Sequence, residues 1–177
     1  MDIPELKAFS DHALAFAVHH LREHKQLPIM FQVLSSHGVD ILAPDAPQPD
    51  VDWNLAKEAL ALKVKDLIRE RQAYAVVNLS DAYVTETDQA HPLASLVRSG
   101  RYSTADIERM GIAKRREAII VSLETPIYLR IIMQQYYRNA DGAIILRKRI
   151  DTDSTDPKMQ PAGRFYNFFE QEETASA

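Results

Sequence analysis

Apolar residues in the first 25 positions recur every three or four: Ile3, Leu6, Phe9, Ala13, Leu14, Ala17 and Leu21. At 3.6 residues per turn these share one face, so the spacing predicts an amphipathic helix from about Pro4 to Lys25. Asp2 with Glu5 three positions on has the form of a capping box, and Pro4 lies in the first turn, where its missing N–H costs nothing. Two short apolar runs, 29–34 and 39–43, flank Ser35-Ser36-His37-Gly38 and predict a hairpin. The proline-rich stretch 44–50 reads as a connector. A second helix, 51–72, follows with Trp53, Ala56, Leu60, Val64, Leu67 and Ile68 on one stripe. Leu55, Ala59 and Leu62 form a lesser second stripe, which predicts contact with another helix or a partner subunit.

From Ala73 the period changes to two and β-branched and aromatic residues dominate, giving one strand over 74–79 and 82–85 with a bulge at Ser80-Asp81. The chain then leaves the sheet for about thirty residues (85–115), with a short helix from about Thr104 to Met110 ended by Gly111. Three further strand-like runs, 117–124, 127–137 and 143–150, have no helix between them, so they predict antiparallel pairing. Asp141-Gly142 supplies the turn between the last two. The order of elements predicts an α+β fold: an antiparallel sheet of five or six strands with two long helices packed on one face. We read residues 1–150 as a single domain. Residues 151–177 read as a polar linker and an aromatic tail, Arg164-Phe-Tyr-Asn-Phe-Phe169, that docks on the domain or on a partner subunit because so much aromatic surface is costly to leave in water.

The composition narrows the chemistry. The chain has 177 residues and no cysteine, which excludes disulfides, thiolate nucleophiles and sulfur-ligated metals. No P-loop, dinucleotide-binding or nucleophile-elbow motif is present, and no cofactor is implied. The acidic start and the lack of an apolar run of membrane-spanning length point to a cytoplasmic protein without a membrane segment. With 21 Lys plus Arg against 25 Asp plus Glu, the net charge is −4, which argues against nucleic acid as a partner. The two basic clusters, Lys114-Arg115-Arg116 and Arg147-Lys148-Arg149, read as solvated ends or faces of strands.

Three groups of residues are candidates for chemistry. His20-Leu21-Arg22-Glu23-His24 resembles the H-x-x-E-H motif of inverted zincins, over these five residues. No third ligand is identifiable, so the two histidines are expected to line the end of a core helix without a metal, while His12 and His19 face solvent. Asp81, Glu86, Asp88 and His91 lie close together in the excursion, a grouping suited to a divalent cation or to acid–base work. Finally, Tyr128, Arg130, Gln134 and Tyr136 share one parity of a strand, while Ile127, Leu129, Ile131 and Met133 share the other. The apolar parity is expected to lie under the helices, leaving the Tyr/Arg/Gln parity as a binding face. The function expected on this basis is a small non-catalytic binding or assembly protein, acting as a homodimer. The competing expectation is a small metal-dependent hydrolase or an acid–base enzyme.

Overall fold

A computed structural model of the chain describes residues 1–44, 52–87, 104–111, 113–156 and 166–169. Its elements are α1 (Ile3–His24), β1 (Met30–Ser35), β2 (Gly38–Leu42), α2 (Trp53–Arg71), β3 (Ala75–Thr87), α3 (Thr104–Arg109), β4 (Ala113–Glu124), β5 (Leu129–Arg138) and β6 (Ile144–Ser154). Six strands form one sheet in the order β2-β1-β3-β4-β5-β6, every neighbour antiparallel. The α+β class and the strand count agree with the sequence pattern.

Local signals account for the element ends. The Asp2 carboxylate accepts from the Glu5 N–H at 2.9 Å and Glu5 accepts from the Asp2 N–H at 2.8 Å, closing the capping box and satisfying two otherwise orphaned donors. Asp52 caps α2 by accepting from the Asn54 N–H at 2.8 Å. In the last hairpin the Asn139 side chain accepts from the N–H groups of Asp141 and Ala143, and Gly142 adopts φ 74°, the left-handed conformation such a turn demands.

Packing divides the helices between the two sides of the sheet. Leu6, Ala13, Leu14, Ala17 and Leu21 of α1 cluster with Leu34, Val77, Leu79, Val121, Leu123 and Ile132. Leu60, Val64 and Ile68 of α2 cluster with Phe31, Val33 and Val76. Val33 and Leu34 are consecutive, as are Val76 and Val77, and consecutive strand residues point to opposite faces. The strand pairings carry the same parities across the sheet. α1 therefore covers one face and α2 the other, a division that differs from the shared face expected from the sequence. Each helix buries one apolar stripe, and that stripe does not encode which side of the sheet it meets.

Several boundaries shift. β3 runs unbroken, with Ser80 opposite Ile120 and Asp81 opposite Ile119, so no bulge lies there. The irregularity instead falls between Gln134 and Tyr136 in the β5–β6 pairing. β6 continues to Ser154, so position 150 lies inside a strand. Within the tail, Phe168 is buried with its ring edge-on to Phe31 at 5.6 Å, and its N–H donates to Glu124 Oε1 at 2.7 Å. The described part of the aromatic segment thus packs on its own domain.

Candidate functional site

The four residues expected to form an open face lie under α1. Tyr128, Arg130, Gln134 and Tyr136 are all buried, Arg130 to 5% exposure and Tyr136 to 2%. The opposite parity is the less covered one, with Ile131 and Met133 only half-buried and Ile127 exposed. The physical reason is that Tyr, Arg and Gln have long apolar bodies and polar tips, and here every tip finds a partner inside the chain. Arg130 donates through Nε and Nη2 to the two Asp151 oxygens at 2.9 and 2.6 Å. Its Nη1 donates to the Lys7 carbonyl and to Ser10 Oγ, both at 2.7 Å, and Nη2 also reaches Asp11 at 3.2 Å. The Arg130 hydrogen bonds hold Asp151 below the usual carboxylate range. Beside it, Lys7 pairs with Asp153, which accepts from the Tyr128 hydroxyl at 3.1 Å. Gln134 Nε2 donates to the Arg147 carbonyl at 2.9 Å. This layer locks α1 onto β5 and β6.

The His20 and His24 rings lie with centroids 4.4 Å apart, tilted by 46°, and His20 Nδ1 lies 3.1 Å from the Gln26 carbonyl. A carbonyl only accepts, so Nδ1 carries the proton. Both rings border a cavity of about 730 Å³ whose walls include Leu27, Pro28, Ile29 and Trp53. His24 is exposed, further from the core than its helical stripe implies, because α1 ends there and Lys25 turns away in the left-handed conformation. His12 and His19 are exposed, and His19 lies 3.3 Å from Glu23. Among the described residues no group of three or more His, Cys, Asp or Glu is arranged to hold a metal ion. Asp88 and His91 lie outside the described residues. Of that acidic group, Glu86 faces Arg116 at 3.6 Å, while Asp81 belongs to a different cluster.

That cluster sits where the sheet divides. Pairing between β4 and β5 ends at Glu117 opposite Tyr136. β4 nevertheless continues on β3 to Ala113 opposite Thr87, and β5 continues on β6 to Arg138 opposite Ile144. The two strand pairs separate like the arms of a fork. At the crotch the Tyr136 hydroxyl lies 2.8 and 2.9 Å from the Asp81 oxygens, and Arg138 donates to Glu117 at 3.2 Å and to the Lys25 carbonyl at 2.9 Å. Burial pushes the Asp81 carboxyl above its ordinary value, against the pull of the Tyr136 hydrogen bond. Burial, and then the bond to Asp81, push the Tyr136 phenol well above its usual range.

Between the arms is a cleft of about 580 Å³ lined by Tyr83, Arg115, Arg116, Tyr136, Tyr137 and Arg147, among others. The Arg115 guanidinium lies 3.7 Å over the Tyr83 ring and that of Arg147 lies 4.5 Å over the Tyr137 ring. Stacking fixes a guanidinium by its face and leaves its N–H edge for an acceptor. Among the described residues neither arginine has a carboxylate within ion-pair distance. Two basic clusters that read as separate solvated strand ends thus meet in one cleft. Neither β4 nor β6 contains an aromatic residue; the stacking partners come from β3 and β5, so the meeting of the clusters requires the strand order.

No helix among the described residues is long and apolar enough to cross a membrane. Comparison with family models, with curated proteins and with solved structures finds no match to this chain.

Proposed function

We propose that this chain is a non-catalytic binding protein that assembles as a homodimer and takes a small anionic ligand with a planar ring in the fork between β4 and β5. One observation carries the binding half: Arg115 on Tyr83 and Arg147 on Tyr137 present two guanidiniums and two aromatic faces to one cleft. Guanidinium forks suit phosphate or carboxylate, and aromatic side chains supply contact area for a flat group. The net charge of −4 supports a small anion over a polyanionic strand. Assembly is supported by exposed apolar side chains on α2, Leu55 and Leu62 at 64% and 62%, and by the uncovered outer strand β6.

The test is calorimetric titration with adenosine monophosphate, adenosine and inorganic phosphate, which separate the ring from the anion. Adenosine monophosphate is expected to bind more tightly than either fragment. The double variant Arg115→Ala, Arg147→Ala is expected to weaken it by about a hundredfold, from two charge-assisted contacts of about 1.5 kcal/mol each, with an unchanged unfolding midpoint. Equal binding to adenosine, or binding indifferent to the double variant, would remove the fork as the site.

A further inference from the structure

The assembly half of this reading leaves open which surface a second copy meets. Candidates differ in what they say about an occupant. The α2 stripe is apolar but carries no mark of what covers it. β6 does carry one, because it is an outer strand with a charge order that complements itself.

Among the described residues β6 pairs only with β5, and its residues 145 to 153 are all exposed. An outer strand presents a row of backbone N–H and C=O groups that pairs readily with another strand. Around its centre β6 reads Arg147-Lys148-Arg149-Ile150-Asp151-Thr152-Asp153, basic before Ile150 and acidic after it. We infer that two copies of the chain join β6 to β6 about a two-fold axis through Ile150, making one twelve-stranded antiparallel sheet.

The register follows from geometry and charge together. A two-fold through a residue pairs positions of equal parity, so outward-facing backbone groups meet outward-facing ones. A centre between two residues would set outward groups against inward ones and make no ladder. Of the residue-centred registers, one through Arg149 or Asp151 sets that charge against its own copy. A centre at Lys148 opposes Arg147 to Arg149, and a centre at Thr152 opposes Asp151 to Asp153. Like charges directly opposite are unfavourable. Only the centre at Ile150 gives Arg149 opposite the second copy's Asp151 twice over, with Lys148 opposite Thr152. Arg149 and Asp151 share the face that carries Gln134 and Ile132 and already touch at 2.7 Å within one chain, so pairing extends an alternating cluster. On the other face Ile150, 37% exposed, meets its own copy on the axis. The opposite edge of the sheet lacks this property: β2 is five residues long, and pairing about its midpoint sets Asp40 against Asp40.

The experiment uses the full chain with Ile150→Asp and Ile150→Lys, a position 37% exposed and outside the charge network, and the mixture of the two variants separates an association defect from a folding defect. Sedimentation equilibrium of the wild type is expected to give twice the chain mass, weakening as salt screens the Arg–Asp pairs. Each variant alone places like charges on the axis and is expected to lose affinity by about tenfold or more. An equimolar mixture of the two is expected to recover a dimer, since Asp then faces Lys, which a mere folding defect would not do. A dimer unaffected by either variant would overturn this interface and leave the assembly reading intact. A wild-type monomer at about 100 μM would overturn both.

Discussion

Removing the Arg130 side chain tests whether the layer beneath α1 is a structural lock. Arg130→Ala deletes hydrogen bonds to Asp151, Asp11, Ser10 Oγ and the Lys7 carbonyl in one step. Breaking a buried ion pair from one side costs about 3–5 kcal/mol because the remaining charge is left without compensation. Here the low end applies. The side chains of Asp151 and Asp11 are 35% and 45% exposed, so water recovers part of their solvation, and Ser10 keeps its bond to the Lys7 carbonyl at 3.0 Å. Asp151 also keeps Arg149. We expect a loss of about 3 kcal/mol by urea denaturation, a fall of roughly 6–12 °C in the thermal midpoint for a domain of this size. Arg130→Lys keeps the charge but not the two-pronged contact and should lose about half as much.

The pH dependence carries the sign. Asp151 has its pKa lowered on folding, chiefly by Arg130, so its contribution is complete above the unfolded value of about 3.9 and is lost as pH falls through the folded value. The stability gap between wild type and Arg130→Ala should therefore be flat from neutral pH to about pH 4 and close below it. A loss under about 1 kcal/mol at pH 7, or a gap that does not change in acid, would show that the network is incidental to the docking of α1.

Asp81 should behave in the opposite sense. Burial raises its pKa on folding, so its carboxyl favours the fold while protonated and that contribution is lost as pH rises through the folded value. Asp81→Asn should then be as stable as wild type at pH 7, or more stable by up to about 1 kcal/mol, and should lack the decline that begins near pH 4; a marked destabilisation at pH 7 would contradict this. Phe168→Ala should cost about 3 kcal/mol by emptying a buried aromatic site against Phe31, and a cost under 1 kcal/mol would mean that the tail contributes little to the domain. For His20 and His24, protein purified without chelator or histidine tag should hold well under one zinc per chain, and the exposed His24→Ala should shift stability by less than about 0.5 kcal/mol. Stoichiometric zinc lost in both His20→Ala and His24→Ala would promote the hydrolase instead.

The elements themselves were legible because each rests on local chemistry. The capping box at Asp2, the three- and four-residue spacing of α1, the alternation in β3 to β6 and the Asp141-Gly142 turn all act within a few residues of chain. What did not transmit was sidedness. The pattern Tyr128, Arg130, Gln134, Tyr136 looks like a wet face when side chains are scored as polar or apolar. Its burial depends on Lys7, Ser10 and Asp11, more than a hundred residues earlier, and on Asp151 and Asp153 of the next strand. Similarly, Arg115 and Arg147 lie on strands that are not neighbours, so no window of sequence could bring them to one cleft. The expected bulge at Ser80-Asp81 failed for a related reason: two polar residues in a strand run can belong to the alternation when a partner such as Tyr136 is present.

The fork has a cause in the same interactions. Arg138, at the end of β5, is bound toward α1: it donates to the carbonyl of Lys25, the left-handed residue that closes that helix, and so satisfies an acceptor that the helix end would otherwise leave open. The start of β4 is bound the other way, by Arg115 over Tyr83 and Arg116 against Glu86, both contacts to β3. The β4–β5 ladder stops at Glu117 and Tyr136, and Arg138 donates back across it to Glu117 at 3.2 Å. Asp81 is held at that junction by the Tyr136 hydroxyl, while Glu117 and the arginines line the cleft itself. The cleft thus lies between two sets of side-chain contacts, β5 to α1 on one arm and β4 to β3 on the other, and weakening either set should change its width before it changes the fold.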